Sequence, residues 1–255
     1  MNEGLDHVVH EVNGELIVRF DKELDPVRRA SSIEREARLL AAVAEISPVP
    51  VPEPVFVLAE RGYLGYFKLP GVPLLELPRA SWSAHGPTVA ATLLDVLAAV
   101  RDAPAGRWSG LVEVDVEPLA GWLAEAAETY DLVAREVPAA HRGAVEAFLR
   151  AAPPPDPRET VFSHNDLGIE HVLVDPATCA VTGIIDWSDA ALVDPAYDLA
   201  LLLRDLGPAA LGDLPVGDRA VFYARCKLLE DLAYGLESGR AAYVEKSHAA
   251  LAWLF

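Results

Sequence analysis

The sequence predicts an α+β chain of two lobes, a small β-rich N-terminal lobe over residues 1–70 and a larger, mainly helical C-terminal lobe over residues 71–255. Three observations carry this. Residues 8–20, VVHEVNGELIVRF, alternate apolar and polar about Asn13-Gly14, the pattern of two strands joined by a tight turn. From about residue 86 the apolar period becomes helical. Between these regions PVPVPEP (48–54) is extended by its prolines, and YFKLPGVPL (66–74) ends the β-rich part in a hinge near 67–72.

After the hairpin, SSIEREARLLAAVAEI repeats Ile33, Ala37, Leu40, Ala41 and Ala44 at helical spacing, with Ser31 or Ser32 as its expected cap. VFVLAERGYLGYFKL then supplies two further strands about a turn at Arg61-Gly62. In the second lobe, residues 88–103, 118–137 and 141–152 read as three helices, and PPPDP (153–157) stops the last of them. HVLVD and VTGIIDW are two short β runs joined by PATCA, and helix resumes from about residue 196. No internal repeat or low-complexity tail is present in the sequence.

The 21 Lys plus Arg against 39 Asp plus Glu give a net charge of −18, which disfavours nucleic acid and acidic membranes and attracts cationic small molecules. An acidic surface also serves solubility, so charge alone does not name a substrate. Hydrophobic residues make up 52% of the chain, enough for a packed core. Cys179 and Cys226 sit in no CxxC pair or disulfide framework and read as reduced thiols. MNEGLDHVVHEV lacks the basic region and apolar core of a signal peptide, and no uninterrupted apolar run reaches the length of a membrane span. A soluble, cytoplasmic, monomeric protein is expected.

The chemistry gathers in SHNDLGIEHVLVD and IIDW. His164, Asp166 and His171 precede one short strand, and Asp186 ends its partner, so a hairpin brings all four to one end. Each of them taken alone could simply cap a strand or turn. A zinc site from His164, His171 and Asp186 lacks the support of an HExxH motif or cysteine ligands. Mg²⁺ accepts one or two carboxylates together with substrate phosphates, which leaves Asp166 free to take a proton from an attacking hydroxyl.

HNDLGIEH followed by IIDWSDA resembles the catalytic and metal-binding motifs of the aminoglycoside phosphotransferase family, relatives of protein kinases that include macrolide phosphotransferases. The resemblance covers most of the chain and implies a bilobal, protein-kinase-like fold. It implies Asp166 as catalytic base and Asp186 as metal ligand. His171 stands where kinases have asparagine, as in the members acting on the 2″-hydroxyl of aminoglycosides or on macrolides. Arg19 in LIVRF takes the position of the phosphate-holding lysine, and Glu36 that of its ion-pair partner. Backbone groups about Lys68 and Leu69 would hold the nucleotide base, while His164 and Asp198 would support the loop. Gly4 lies in NEGLDHVV, which resembles the phosphate-covering turn, with Gly4 to His7 at its tip; the strand that precedes this turn in the family is expected to be absent. Neither GxGxxG nor a Walker motif is present.

These residues imply transfer of the terminal phosphoryl group of ATP or GTP, with Mg²⁺, to a hydroxyl of an aminoglycoside, a cationic antibiotic. Asp189, Asp194, Glu230 and Asp231 are candidates for facing that substrate. A macrolide phosphotransferase, a small-metabolite kinase and a non-catalytic nucleotide-binding module share the motif; several carboxylates in the substrate site would favour an aminoglycoside, large apolar side chains a macrolide.

Overall fold

The computed structural model describes residues 2, 3 and 7–255, with side chains from residue 8 onward. The first lobe contains β1 (Asn2–Glu3), β2 (His7–Val12), β3 (Leu16–Asp21), α1 (Pro26–Ala44), β4 (Pro54–Leu58) and β5 (Tyr63–Phe67). Its five strands form one antiparallel sheet in the order β1-β2-β3-β5-β4. The β2–β3 hairpin turns where the sequence placed it: Asn13 and Gly14 both adopt positive φ (55° and 76°), and the Glu15 amide donates to the Val12 carbonyl at 3.2 Å. One expectation is corrected here. The strand before the first turn is present in short form, with Asn2 opposite Val9 and Glu3 opposite Val8. Gly4 lies outside the described residues.

Helix α1 starts earlier than the serines suggested. Asp25 is its cap, accepting the amides of Val27 and Arg28 at 2.9 and 3.0 Å, and Pro26 fits a first turn that needs no amide donor. Ser31 and Ser32 therefore fall inside the helix. Ile33, Leu39, Leu40 and Val43 bury one face of it, and Glu36 is buried on the same side.

The second lobe follows as β6 (Val72–Pro73), α2 (Arg79–Asp102), α3 (Leu119–Val133), α4 (Ala139–Arg150), β7 (Val161–Ser163), β8 (Val172–Val174), β9 (Val181–Ile184), β10 (Ala191–Val193), α5 (Tyr197–Leu206), α6 (Pro208–Leu211), α7 (Asp218–Ser238) and α8 (Ala241–Leu254). Helix α2 runs through Pro87, where the sequence suggested a later start; Trp82, Val89, Leu93, Val96 and Val100 are buried along it against β7, α5 and α6, and this packing outweighs the hydrogen bond that proline removes. By length and composition α2 could cross a membrane, yet that same stripe lies inside the lobe. Helix α5 is the lobe's axis: eight of its ten residues are buried, and α2, α6, α7 and α8 pack on it. Two small antiparallel sheets, β6-β8-β9 and β10-β7, lie where the lobes meet and carry the site.

Candidate active site between the lobes

Two loops, residues 164–171 between β7 and β8 and residues 185–189 after β9, hold the chemistry-bearing side chains. The β8–β9 pairing sets Val172 opposite Ile184 and continues as the Ile185 amide donating to the His171 carbonyl at 3.0 Å. His171 is thereby carried against Asp186, with Nε2 3.7 Å from Oδ2. Its Nδ1 lies 2.7 Å from the Asp166 carbonyl and 3.4 Å from the Asp166 carboxylate. A carbonyl only accepts, so Nδ1 carries a proton, and in the neutral ring the Nε2 lone pair faces Asp186.

The first loop is gripped from below. Asp198, buried in the first turn of α5, accepts the amides of His164 (3.0 Å) and Asn165 (3.1 Å), and Asn165 sits at φ 65°. His164 is 1% exposed; Nε2 donates to the Ile185 carbonyl at 2.9 Å and Nδ1 accepts the Asp166 amide at 3.3 Å. Burial lowers its pKa, outweighing the pull of Asp198, so the ring stays neutral and ties the two loops together. The Phe162 ring stacks on Trp108 with centroids 3.6 Å apart, and on Trp187 at 6.4 Å, which fixes the chain just before the first loop and just after Asp186. Asp186 itself is left-handed (φ 63°, ψ 61°), a conformation costing a non-glycine residue about 1–3 kcal/mol, and Ser188 Oγ donates to its Oδ1 at 2.8 Å.

Across the cleft, Arg19 on β3 lies 2.9 Å from Glu36 on α1 and 3.6 Å from Asp186, joining sheet, helix and loop. Burial opposes its charge, but Glu36, Asp186 and Tyr66 raise its pKa on balance. Burial likewise opposes ionisation of Asp186, and Arg19 and His171 bring its pKa below the ordinary range. For His171, burial is outweighed by Asp166, Glu170 and Asp186, which raise its pKa. The field that favours a proton there also favours a cation between His171 and Asp186. The imidazole lone pair, the adjacent carboxylate and the open cleft fit Mg²⁺, which needs few protein ligands when phosphates complete its shell. No group of three or more His, Cys, Asp or Glu able to hold a metal by themselves occurs among the described residues.

The hinge differs in one respect from expectation. The Lys68 amide donates to the Glu15 carbonyl at 2.8 Å and its ammonium pairs with Glu11 at 2.8 Å, so the Lys68 N–H belongs to the sheet and cannot reach a base. The Leu69 side chain lies against Gly183 of β9.

The four candidate substrate carboxylates separate. Asp231 is buried against Arg204 (2.9 Å) and Lys246 (3.0 Å), which removes it from any substrate surface. Asp194 is largely buried, with its oxygens occupied by Arg219 at 2.7 Å and the Ala196 amide at 2.9 Å, but it lines the small groove beside Asn165. Asp189 is exposed but opens into a different cavity of about 890 Å³ against the outer face of α1, lined among others by Arg28, Arg35 and Arg38. Glu230 is exposed and pairs with Lys227 at 2.7 Å.

Of the groove beside Asn165, sequence reasoning named Asp194 and missed the other lining residues. The groove encloses only about 20 Å³ and is lined by Asp115, Glu117, Trp122, Asn165, Asp194, Tyr197 and Tyr223, with Asp115 accepting from Asn165 Nδ2 at 3.3 Å. A parallel bridge between Val114 and Leu192 brings the Asp115 segment there, and no local pattern announces such a contact.

A sequence model of the phosphotransferase enzyme family matches residues 4–236. Among solved structures, the GDP and kanamycin complex of APH(2")-IIia superposes with a TM-score of 0.68 at 21% identity, over 99% of this chain and 90% of that one. The macrolide 2'-phosphotransferase MphH from Brachybacterium faecium superposes with a TM-score of 0.56 at 25% identity, over 97% and 89% of the two chains. An aminoglycoside 3'-phosphotransferase of Streptomyces fradiae is 42% identical over 52 residues, which is 20% of this chain and 19% of that enzyme's length.

Proposed function

The chain belongs to the phosphotransferase enzyme family, and we propose that it transfers the terminal phosphoryl group of ATP or GTP to a hydroxyl of an aminoglycoside. The observation that carries this reading is a line of charged groups across the cleft: Asp166 beside His171, His171 facing Asp186 at 3.7 Å, and Asp186 facing Arg19 at 3.6 Å. In this reading the acceptor oxygen bonds to the terminal phosphorus, the bond to the leaving diphosphate breaks, and Asp166 takes the acceptor's proton. Arg19 holds the donor's inner phosphates, oriented by Glu36. Asp198 and His164 keep the Asp166 loop in place. His171 Nε2 and the Asp186 carboxylate would hold Mg²⁺, which supplies neutralisation of phosphate charge.

Asp115 and Glu117, the groove's carboxylates that reach solvent, together with the net charge of −18, support a cationic acceptor. Trp122, half-buried and backed by the buried Tyr197 and Tyr223 with ring centroids 5.2–5.5 Å apart, favours a second reading in which the acceptor is a macrolide. The test is incubation with Mg²⁺, ATP or GTP, and a panel of aminoglycosides and macrolides, followed by mass spectrometry. Addition of one phosphoryl group to an aminoglycoside is the expected result. A modified macrolide alone overturns the acceptor, and a protein that binds neither nucleotide overturns the reaction.

A further inference from the structure

A sealed group of five charges lies directly beneath the 164–171 loop. Glu170 comes from the loop, Arg204 and Asp205 from the end of α5, Asp231 from α7 and Lys246 from α8; none of these side chains is more than 10% exposed. Lys246 Nζ lies 2.7 and 3.0 Å from the two Glu170 oxygens, 3.0 Å from Asp231 and 3.7 Å from Asp205. The Arg204 fork meets Asp205 at 2.6 and 2.8 Å and Asp231 at 2.9 Å.

The cluster reaches the loop backbone as well. Asp205 Oδ2 accepts the Ile169 amide at 3.0 Å, while the Leu75 amide donates to the Ile169 carbonyl at 3.1 Å, so the peptides on both sides of Ile169 are held. The next residue is Glu170, and the one after it is His171. Gly168 completes the turn: a Cβ there would lie 2.5 Å from the Glu170 carboxylate, which Lys246 keeps folded over it. Gly168 donates to the Asp166 carbonyl at 2.9 Å and accepts from the His171 amide at 3.0 Å.

Burying five charges is a poor way to stabilise a lobe, since well-packed apolar residues of the same volume do as well or better. What the ions supply that apolar residues do not is fixed direction, because forked and bidentate contacts tolerate little rotation. We propose that this buried ion cluster is a clamp that sets the relative placement of Asp166 and His171, with Glu170 and Lys246 as positioning residues tying α8 to the loop. The proposal rests on the reading of residues 164–171 as the phosphoryl-transfer loop.

Lys246→Met alone would set three buried carboxylates against one guanidinium, so the test uses the charge-balanced pair Lys246→Met/Glu170→Gln. Two readouts are taken: steady-state transfer, and amide hydrogen exchange of Ile169 and His171 with the α2 amides as internal reference. The expected result is a kcat at least tenfold lower, a nucleotide KM within threefold of wild type, and loop exchange at least tenfold faster with α2 unchanged. Lys246→Arg should recover kcat to within fivefold. A double variant with wild-type kcat overturns the proposal, as does loop exchange that stays at the wild-type rate. Should the wild-type protein transfer phosphate to no acceptor, the functional reading fails separately. Loop exchange then decides alone: unchanged protection overturns the clamp and accelerated exchange sustains it.

Discussion

Arg19 and Asp186 lie 3.6 Å apart, one on the sheet of the first lobe and the other at the end of β9 in the second. The same guanidinium is 2.9 Å from Glu36, and both side chains of that pair are over 90% buried. Arg19 therefore has two separable roles, one in the fold and one across the cleft. Removing one partner of a buried pair leaves the other charge uncompensated, at about 3–5 kcal/mol, whereas replacing both with apolar residues can be neutral. Arg19→Met should lower Tm markedly, and Arg19→Met/Glu36→Leu should restore it while nucleotide KM stays raised. Calorimetry and nucleotide titration on the two variants separate the roles; a double variant with normal KM would remove Arg19 from nucleotide binding.

Asp166 is one-third exposed and follows Asn165, which lines the groove. Asp166→Asn keeps the backbone carbonyl that orients His171 but loses the proton acceptor. Transfer should fall by roughly 10²–10⁴-fold, the usual range for a general base, with nucleotide affinity near wild type. Single-turnover kinetics with equilibrium nucleotide binding checks both halves, and undiminished transfer would exclude Asp166 from the proton step.

Asp198 presents one oxygen to each of two successive amides, those of His164 and Asn165. Asp198→Asn supplies an amide group where the second oxygen stood, so one buried N–H faces another. Leaving a buried donor unpaired costs about 1–3 kcal/mol, and the loop it disturbs carries Asp166. Both Tm and kcat should drop, and Asp198→Glu should not rescue either, because the longer chain cannot fit beneath the loop. Equilibrium unfolding in urea alongside kinetics tests this, with an unchanged midpoint as the contrary result.

The parts of this protein legible in sequence are those whose signals are local. Asn13-Gly14 dictates a hairpin by its own backbone preferences, and HNDLGIEH with IIDW places four polar side chains near one another because only a short hairpin separates them. Strands β6, β7 and β10 escaped notice because each is two or three residues long and pairs with a distant segment. The start of α1 is ambiguous in sequence because Asp25-Pro26 and the two serines both resemble caps, and in the structure it is the Asp25 carboxylate that reaches the free amides. Asp231 is a substrate candidate in sequence only by its charge, because a helical pattern does not show which buried partners a carboxylate meets. Its partner Lys246 belongs to another helix, and Lys246 reaches Glu170 across 76 positions of chain. Among the described residues no short-range pattern encodes that cluster.

Both cysteines are 4% exposed and free, and burial pushes the Cys226 thiol up to about 12. At pH 8 roughly one Cys226 in 10⁴ would be thiolate, and that fraction is shielded by α7 and its neighbours. A disulfide-exchange reagent should therefore label neither thiol quickly in the native protein and both on denaturation. Rapid native labelling of one thiol would show that its surroundings open on the timescale of the reaction.

The groove beside Asn165 offers a prediction that bears on the acceptor's charge. Asp115 is exposed and Glu117 only partly covered, so their attraction for a cation acts through solvent and is screened over about 8–10 Å at ordinary ionic strength. For a polycationic acceptor, KM should rise several-fold between about 50 and 300 mM salt, a range over which that screening length roughly halves. Asp115→Asn/Glu117→Gln should raise KM at low salt and flatten its salt dependence, leaving nucleotide KM alone. If instead the variant and wild type show the same salt slope, these carboxylates do not face the acceptor. Trp122, backed by the buried Tyr197 and Tyr223, then becomes the group that selects it, and replacing Trp122 with leucine should weaken acceptor binding equally at every salt concentration.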